Sequence, residues 1–571
     1  MYFNGTLLHV ATYPGPVAVD TETSGVRWWE DTVGVVSFAW GGLTEEAYAT
    51  RDVDPAVLAV QARMDEGLPT IFHNSPFDLH FLQRSGLHRV NWSAVRDTLL
   101  MARLRDNLGV NDLDALGLSI LGIPKGKSPV KDWLRKNKKG FVTEHGRAPN
   151  FLDVPDDILL PYATRDASLT WKLYTVFKFE ESPLMPREMH LRQLMYDAET
   201  RGVHVNLELA QERYEWAVRE QEAIEHLLVK MHGRPINLDS NQQLSAWLYG
   251  DLGLKPVTFT PGGAPQVNEF NLASNPHPVT RLLITRNHRV KSAEFFKSYL
   301  TLADSEGFIH PTINTMQART HRFSASDPNV QQVPVRNDRF HTREVFEADW
   351  LIGADYDKQE LRIAAEEARD YPLLEAIASG KDVYRGMAAD MLAKPIGTIT
   401  GNERQAAKVA ILSMIYGAGA PKVGESFTVN TGKPYTTAQA KTIRDNFYRA
   451  HPAIKALMQR TQGEVRANGG VRNRWGRWLN VEVERAYVAT DYLVQSSGRD
   501  VLADAVINLA EVLPKYGGHL LWPVHDEALM VVPEEPSPEL LAEVGKAMVS
   551  HRFSLPLTAN PVKGRNMAQL K

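Results

Sequence analysis

The stretch from Leu351 to Arg362, LIGADYDKQELR, limits more than any other what this chain can fold into. Leu351-Ile352-Gly353-Ala354 reads as a buried strand, Asp355 stands at its end, and a helical pattern starts at Lys358 and runs through Ile363, Ala364 and Ala365. A carboxylate left at a strand end faces a cleft. Taken alone, such an Asp also serves as a turn residue or helix cap. A second acidic pair shifts the balance: Leu520 to Val532 reads as two apolar strands joined by a tight turn, with Asp526 and Glu527 at the hairpin tip. Two aspartates so placed could hold a pair of divalent ions.

A third acidic feature lies near the N-terminus. Val17 to Thr23 reads as an alternating strand that puts Asp20 and Glu22 on one face, where two carboxylates repel unless a cation sits between them. Ile71 to Asp78 leads from a strand into a helix past Asn74, and Tyr162 and Asp166 share a helical face. Between the acidic stretches, Thr400 and Glu403 form a capping box for a helix that Gly417 can end. Arg404, Lys408, Leu412 and Tyr416 recur at every fourth position along it, so they form one stripe. Two cations near the positive end of the helix dipole suit a triphosphate.

Together these motifs resemble two known groups. LIGADYDKQELR and Val524-His525-Asp526-Glu527 resemble the first and third palm motifs of family A DNA polymerases, and the Arg404 to Gly417 stripe resembles the fingers helix between them. The N-terminal set resembles the proofreading 3'-5' exonucleases of the DnaQ-like group. The fold implied is multidomain, α/β and α+β: an RNase H-like exonuclease domain followed by a right-hand polymerase domain of palm, fingers and thumb. The corresponding boundaries are 1–185 for the exonuclease, 186–310 for thumb and connecting helices, 311–370 and 485–571 for the palm, and 371–484 for the fingers.

For the polymerase, the resemblance implies that Asp355, Asp526 and the main-chain carbonyl of Tyr356 are metal ligands, with Glu527 beside them. It gives Lys408 the neutralisation of charge and proton donation to pyrophosphate, Arg404 a phosphate contact and Tyr416 a stacking position by the templating base. Glu360 becomes a steric gate against a ribose 2'-hydroxyl, braced by Arg362. Leu412 replaces the usual Phe or Tyr against the nucleotide sugar, which implies altered discrimination against dideoxynucleotides. Asp357, Lys358 and Asp491 are further departures, Asp491 standing where Asn is usual. Arg319 to Arg336 resembles the family's loop of DNA contacts, in which Arg322 reads minor-groove acceptors and Asn329 and Arg336 hold backbone. Gln495 matches another minor-groove contact, and His525 is expected at the primer terminus.

For the exonuclease, Asp20, Glu22, Asp78 and Asp166 are the implied ligands of two metals that generate hydroxide and stabilise the phosphate, Tyr162 orients the attacking water, and Asn74 contacts DNA. Mg2+ is expected at both sites, two per site, with Mn2+ as a substitute. Two helices, drawn from Asn237 to Leu254 and from Arg281 to Tyr299, resemble the thumb. Arg286, Arg289, Lys291 and Lys297 could meet phosphates there, or equally form a charged face balanced by Glu294. The Lys-rich segment from Lys125 to Lys139 reads best as a solvated basic face.

Composition sets outer limits. At 571 residues the chain exceeds the roughly 250 to 300 at which single cores stop growing, so it should divide into several units. A formal net charge of -4 leaves any nucleic-acid contact to local patches. With no cysteine, disulfides and thiolate-bound zinc are excluded. No signal peptide or membrane span is legible, so a soluble, cytoplasmic protein is expected, in the host cytoplasm if phage-encoded. The expected substrates are primer-template DNA and dNTPs, used by a monomer with no 5'-nuclease domain and with helicase, single-strand binding protein or processivity factor as possible replisome partners. The alternatives are a single-subunit RNA polymerase-like enzyme, which shares the Arg-x3-Lys-x7-Tyr-Gly stripe, and a catalytically silent DNA-binding relative.

Overall fold

The computed structural model describes residues 5–41, 45–124, 128–137, 150–178, 182–335 and 338–570. The chain divides into two compact units, one of residues 1–201 with 313–321, the other of residues 202–312 with 322–571. Among the described residues, no helix is long and apolar enough to cross a membrane.

The first unit is built on a five-stranded sheet: β1 (Val17–Thr23), β2 (Val33–Gly41), β3 (Glu45–Thr50), β4 (Thr70–Phe72) and β5 (Val95–Asp97), in the order β3-β2-β1-β4-β5. The pairs β1/β2 and β2/β3 are antiparallel, whereas β1/β4 and β4/β5 are parallel. Strand β1 is buried on both faces rather than alternating, because helices cover the sheet that it centres. Helices α1 (Ser75–Arg84), α2 (Thr98–Arg105) and α3 (Asp156–Phe177) carry or support the acidic residues. Helix α4 (Met185–Arg201) belongs to this unit as well, because it seats Met189 and Tyr196 in the same core as Val19 and Phe38.

The second unit is organised by a six-stranded sheet of β6 (Val203–Val205), β7 (Phe308–Ile309), β8 (Phe346–Tyr356), β9 (His519–Val524), β10 (Glu527–Val532) and β11 (Ala559–Asn566). Its path is β9-β10-β8-β6-β7, with β11 also paired to β8. Gly353 in β8 leaves room for its neighbours: a Cβ there would meet Glu527 Oε1 at 2.7 Å and Leu570 Cδ1 at 3.2 Å. Before the sheet's long strand, α5 (Leu207–His232) packs along α6 (Pro278–Leu302). This corrects the expected helix pair. The segment from Asn237 to Leu254 holds only a short helix, Asn241–Ser245, and a π-helical turn, so α5 is the long partner of α6.

Candidate active sites

In the first unit, β1 supplies Asp20 and Glu22, α1 supplies Asp78 and α3 supplies Tyr162 and Asp166. Asp78 is tied to the strand: its Oδ1 accepts from the Thr21 N–H at 3.0 Å and the Thr21 hydroxyl at 2.8 Å. Burial pushes the Asp20 carboxyl well above the usual carboxylate range, and repulsion from Asp78, Glu22 and Asp166 adds to it. Glu22 is raised by burial, then by Asp166 and Asp78. Burial likewise carries Asp78 to about 7 and Asp166 to about 6. The Tyr162 hydroxyl hydrogen-bonds Asp166, and burial raises its pKa. Sequence therefore located all four acids and the tyrosine that the fold gathers.

Asn74 occupies the N-cap position of α1 in the left-handed region at φ 70°, but its side chain makes no capping bond. The loop is pinned instead by Asp97, a residue the sequence did not single out. Its carboxylate accepts from the Asn74 and Ser75 N–H groups at 3.3 and 2.9 Å, and from Leu99 N–H at 2.9 Å. Asp97 thus caps α2 and holds the entry to α1 together.

In the second unit, Asp355 lies opposite Glu527 in the β8/β10 register and opposite Asn560 in the β8/β11 register. Glu527 is the first residue of β10 and 2 % exposed, so the hairpin tip consists of His525 and Asp526 alone. His525 takes φ 57° there. Burial raises Asp526 to about 7, followed by repulsion from Asp355. A cavity of about 610 Å3 is lined by Asp355, Tyr356, Glu360, Asp526 and Glu527 together with Tyr384, Arg404, Lys408 and Leu412.

The stripe comes from α8 (Gly401–Ile415), capped as expected by the reciprocal Thr400 and Glu403 bonds. Gly417, at φ 87°, ends the helix. Arg404 pairs with Asp382 at 2.6 Å, and the Arg404 and Lys408 cations stand 5.8 and 5.4 Å from the Tyr384 ring centroid. Tyr384 and Asp382 were missed in sequence. The available signal was Asp382 as N-cap of α7 (Val383–Leu392), which sets Tyr384 in its first turn.

Several expected partners change. Glu360 is ion-paired to Arg322, not to Arg362. Arg362 turns to Asp357 at 3.1 Å, and Lys358 reaches the same carboxylate at 2.6 Å, so the two departures form a local charge cluster. Tyr416 has its hydroxyl enclosed and directed toward Glu360, which helps raise its pKa after burial. Asp491 and Gln495 sit one turn apart on α9 (Ala489–Val512) and hydrogen-bond each other. Burial pushes Asp491 up to about 7. The Asn329 side chain accepts from Gln331 N–H at 3.1 Å and so caps a short turn.

Arg286 is buried and pairs with Glu225 and Asp239, both at 2.7 Å, while Arg289 pairs with Glu220 at 2.8 Å. These partners come largely from α5 rather than from Glu294, and they favour the charge-balanced face for both arginines. Lys291 stands over the Phe295 ring at 5.9 Å, and Lys297 is exposed. Arg336 lies outside the described residues, as do 125–127 and 138–139 of the Lys-rich segment.

The donor sets fit hard divalent cations. Each gathers carboxylate oxygens, buried and mutually repelling in their ionised form, and in the second unit a main-chain carbonyl at Tyr356 follows directly on Asp355. Among the described residues, no three His, Asp or Glu side chains stand in chelating geometry as placed. Side-chain rotation would have to accompany ion binding.

The family model described as DNA polymerase family A matches residues 208–569, and that described as 3'-5' exonuclease matches residues 6–180. The chain is 26% identical over 575 residues to the DNA polymerase of Mycobacterium phage D29, covering 96% of this chain and 92% of that one. It is 26% identical over 536 residues to DNA polymerase I of Chloroflexus aurantiacus, covering 88% of this chain, and spans 55% of that relative's length. For DNA polymerase I of Pseudomonas aeruginosa the values are 25% over 563 residues, 91% and 60%. A solved structure, the POL domain of Pol1 from M. smegmatis in complex with DNA primer-template and dNTP, superposes with a TM-score of 0.81 at 20% identity and covers both chains fully.

Proposed function

This chain belongs to DNA polymerase family A, and from that premise we propose that it extends a DNA primer along a template from dNTPs and trims primer ends with a separate 3'-5' exonuclease site. The observation that carries the reading is the cavity that Asp355 and Asp526 line together with Arg404 and Lys408. Carboxylates that hold cations and a helix stripe that holds a triphosphate are the two halves of a nucleotidyl-transfer site. The RNA polymerase alternative shares the stripe, but the matching family model is that of a DNA polymerase.

In this reading Asp355, Asp526 and the Tyr356 carbonyl hold the metal ions, Mg2+ with Mn2+ as a substitute. Such ions, when bound, polarise phosphate oxygens and make a coordinated hydroxyl more acidic. Arg404 and Lys408 bind the triphosphate, and Lys408 Nζ donates a proton to the departing pyrophosphate. Leu412 packs the sugar, and Glu360, held by Arg322, excludes a 2'-hydroxyl. Gln495 and Arg322 test the minor groove, while His525, Asn329 and Arg336 serve the primer and template strands. In the exonuclease site Asp20, Glu22, Asp78 and Asp166 are the ligand set, the Tyr162 hydroxyl orients water and Asn74 touches the strand. The subdomain boundaries, a monomeric state, a cytoplasmic location and replisome partners such as a helicase, a single-strand binding protein or a processivity factor belong to the same proposal.

A labelled primer-template incubated with Mg2+ tests it. Extension with dNTPs, shortening without them, and loss of both in EDTA are expected. Extension with rNTPs in preference to dNTPs contradicts the proposal.

A further inference from the structure

We infer that Arg499 is a positioning residue for the primer end: its guanidinium, held over the Phe323 ring, fixes the neighbouring Arg322 where it meets Glu360 and the minor groove. The inference rests on the minor-groove role proposed above for Arg322, and its test separates the two. Arg322 pairs with Glu360, and its charge acts on Asp526, Tyr416 and Asp491, so it stands among the groups of the polymerase site. Both members of the Arg322–Glu360 pair remain partly open to solvent, where an ion pair alone is a weak constraint on two long side chains. Their chain neighbours Phe323 and Gln359, by contrast, are buried.

One step of α9 holds both neighbours. A Cβ on Gly498 would meet Gln359 Oε1 at 2.5 Å, and Gln359 Nε2 donates to the Gly498 carbonyl at 3.3 Å, so this glycine lets α9 close onto the residue before Glu360. Arg499, next in the helix and itself buried, stands with its Cζ 4.9 Å from the centroid of the Phe323 ring, the residue after Arg322. Burying a guanidinium is costly, and the neutralisation of Asp500 does not account for it. Asp500 already accepts from Arg477 through both oxygens, at 2.9 and 2.7 Å, and from Asn473 Nδ2 at 2.7 Å. The bond from Arg499 Nη1 to Asp500 Oδ1, at 2.9 Å, orients the guanidinium, and the Phe323 ring lies in its reach. A cation at this distance from an aromatic face attracts it electrostatically, and more strongly where water is excluded. A fixed Phe323 ring fixes the backbone that carries Arg322.

The test is single-turnover extension by the full chain of two primer-templates, one with guanine at the primer end and one with 3-deazaguanine, in which carbon replaces the ring nitrogen that accepts in the minor groove. Wild type should extend the second roughly ten-fold more slowly. Phe323→Leu removes the ring face and keeps an apolar side chain; Arg499→Met removes the charge and keeps the length. Both variants should extend the guanine end slower than wild type by roughly that same factor, and the 3-deazaguanine end at the wild-type rate. Equal slowing of both primers in Phe323→Leu, or slowing of neither, overturns the role of Arg499, since a merely structural contact does not distinguish the two ends. A wild type that extends both primers at one rate overturns instead the minor-groove reading of Arg322 beneath it. Arg499→Met also takes a partner from Asp500, so if its melting temperature falls well below that of wild type, Phe323→Leu, which leaves Asp500 untouched, decides the case.

Discussion

The main-chain N–H of Tyr356 donates to the main-chain carbonyl of Asp526 across 3.2 Å. Two segments far apart in sequence are thereby fixed to each other by backbone, not by the acids themselves. Asp355 and Asp526 can then be held close in spite of their repulsion, which burial strengthens. The same register brings Glu527 opposite Asp355 and packs it over Gly353.

Gly353→Ala should disturb that packing. The added methyl group would meet Glu527 Oε1 at 2.7 Å and the Leu570 side chain at 3.2 Å. A loss of about 1–3 kcal/mol is expected from overpacking, together with reduced primer extension and unaltered exonuclease activity. Chemical denaturation and the two activity assays check it, and a variant as stable and as active as wild type contradicts the tight approach.

Glu360 is paired with Arg322. Glu360→Ala removes the proposed gate, so incorporation of rNTPs relative to dNTPs should rise roughly 10- to 100-fold. Arg322→Ala should instead lower extension from the primer end for both sugars. Single-nucleotide incorporation kinetics distinguish the two, and an unchanged sugar preference in Glu360→Ala would falsify the gate.

Asp491 carries a pH signature. Burial raises it from 3.8 to about 7, with Arg322 pulling the other way and Glu360 adding repulsion. The folded protein thus holds a proton that the unfolded chain releases, and stability falls as pH rises from about 4 through 7. Asp491→Asn should gain about 1–3 kcal/mol over wild type at pH 8 and little at pH 4. Melting curves across that range check it; a pH-independent difference between the two proteins contradicts it.

The exonuclease acids should behave likewise until a cation binds. With Asp78 at about 7 and Asp166 at about 6, the first unit in EDTA should be less stable at pH 8 than at pH 6. Mg2+ should restore much of the loss at pH 8, since a cation favours the ionised carboxyls. In Asp20→Ala the response to Mg2+ should shrink. A wild-type melting temperature that ignores both pH and Mg2+ contradicts the proposed ligand set.

The acids were legible in sequence because strand ends and helical spacing are local. Asp355 ends an apolar run, Asp526 follows another, and Thr400 with Glu403 announces the helix that carries Arg404 and Lys408. Partnerships between distant segments were not legible. Nothing near Glu360 in the chain says that Arg322, not Arg362, would reach it, and nothing near α6 says that Glu220 and Glu225 of α5 would neutralise Arg289 and Arg286. Tyr384 was hidden for the same reason, since its meaning comes from the cations stacked over it. Helix α5 was missed as the long partner of α6 because the resemblance placed that helix within Asn237 to Leu254, a stretch that folds into a short helix and a π-helical turn.

Two separate acidic centres, one for synthesis and one for trimming, are most directly tested by following a labelled primer-template with wild type, Asp526→Ala and Asp20→Ala in Mg2+. Asp526→Ala should lose extension by a factor of roughly 1,000 or more and still shorten the primer, and Asp20→Ala should do the reverse. Loss of both activities in either folded variant, or of neither, contradicts the division.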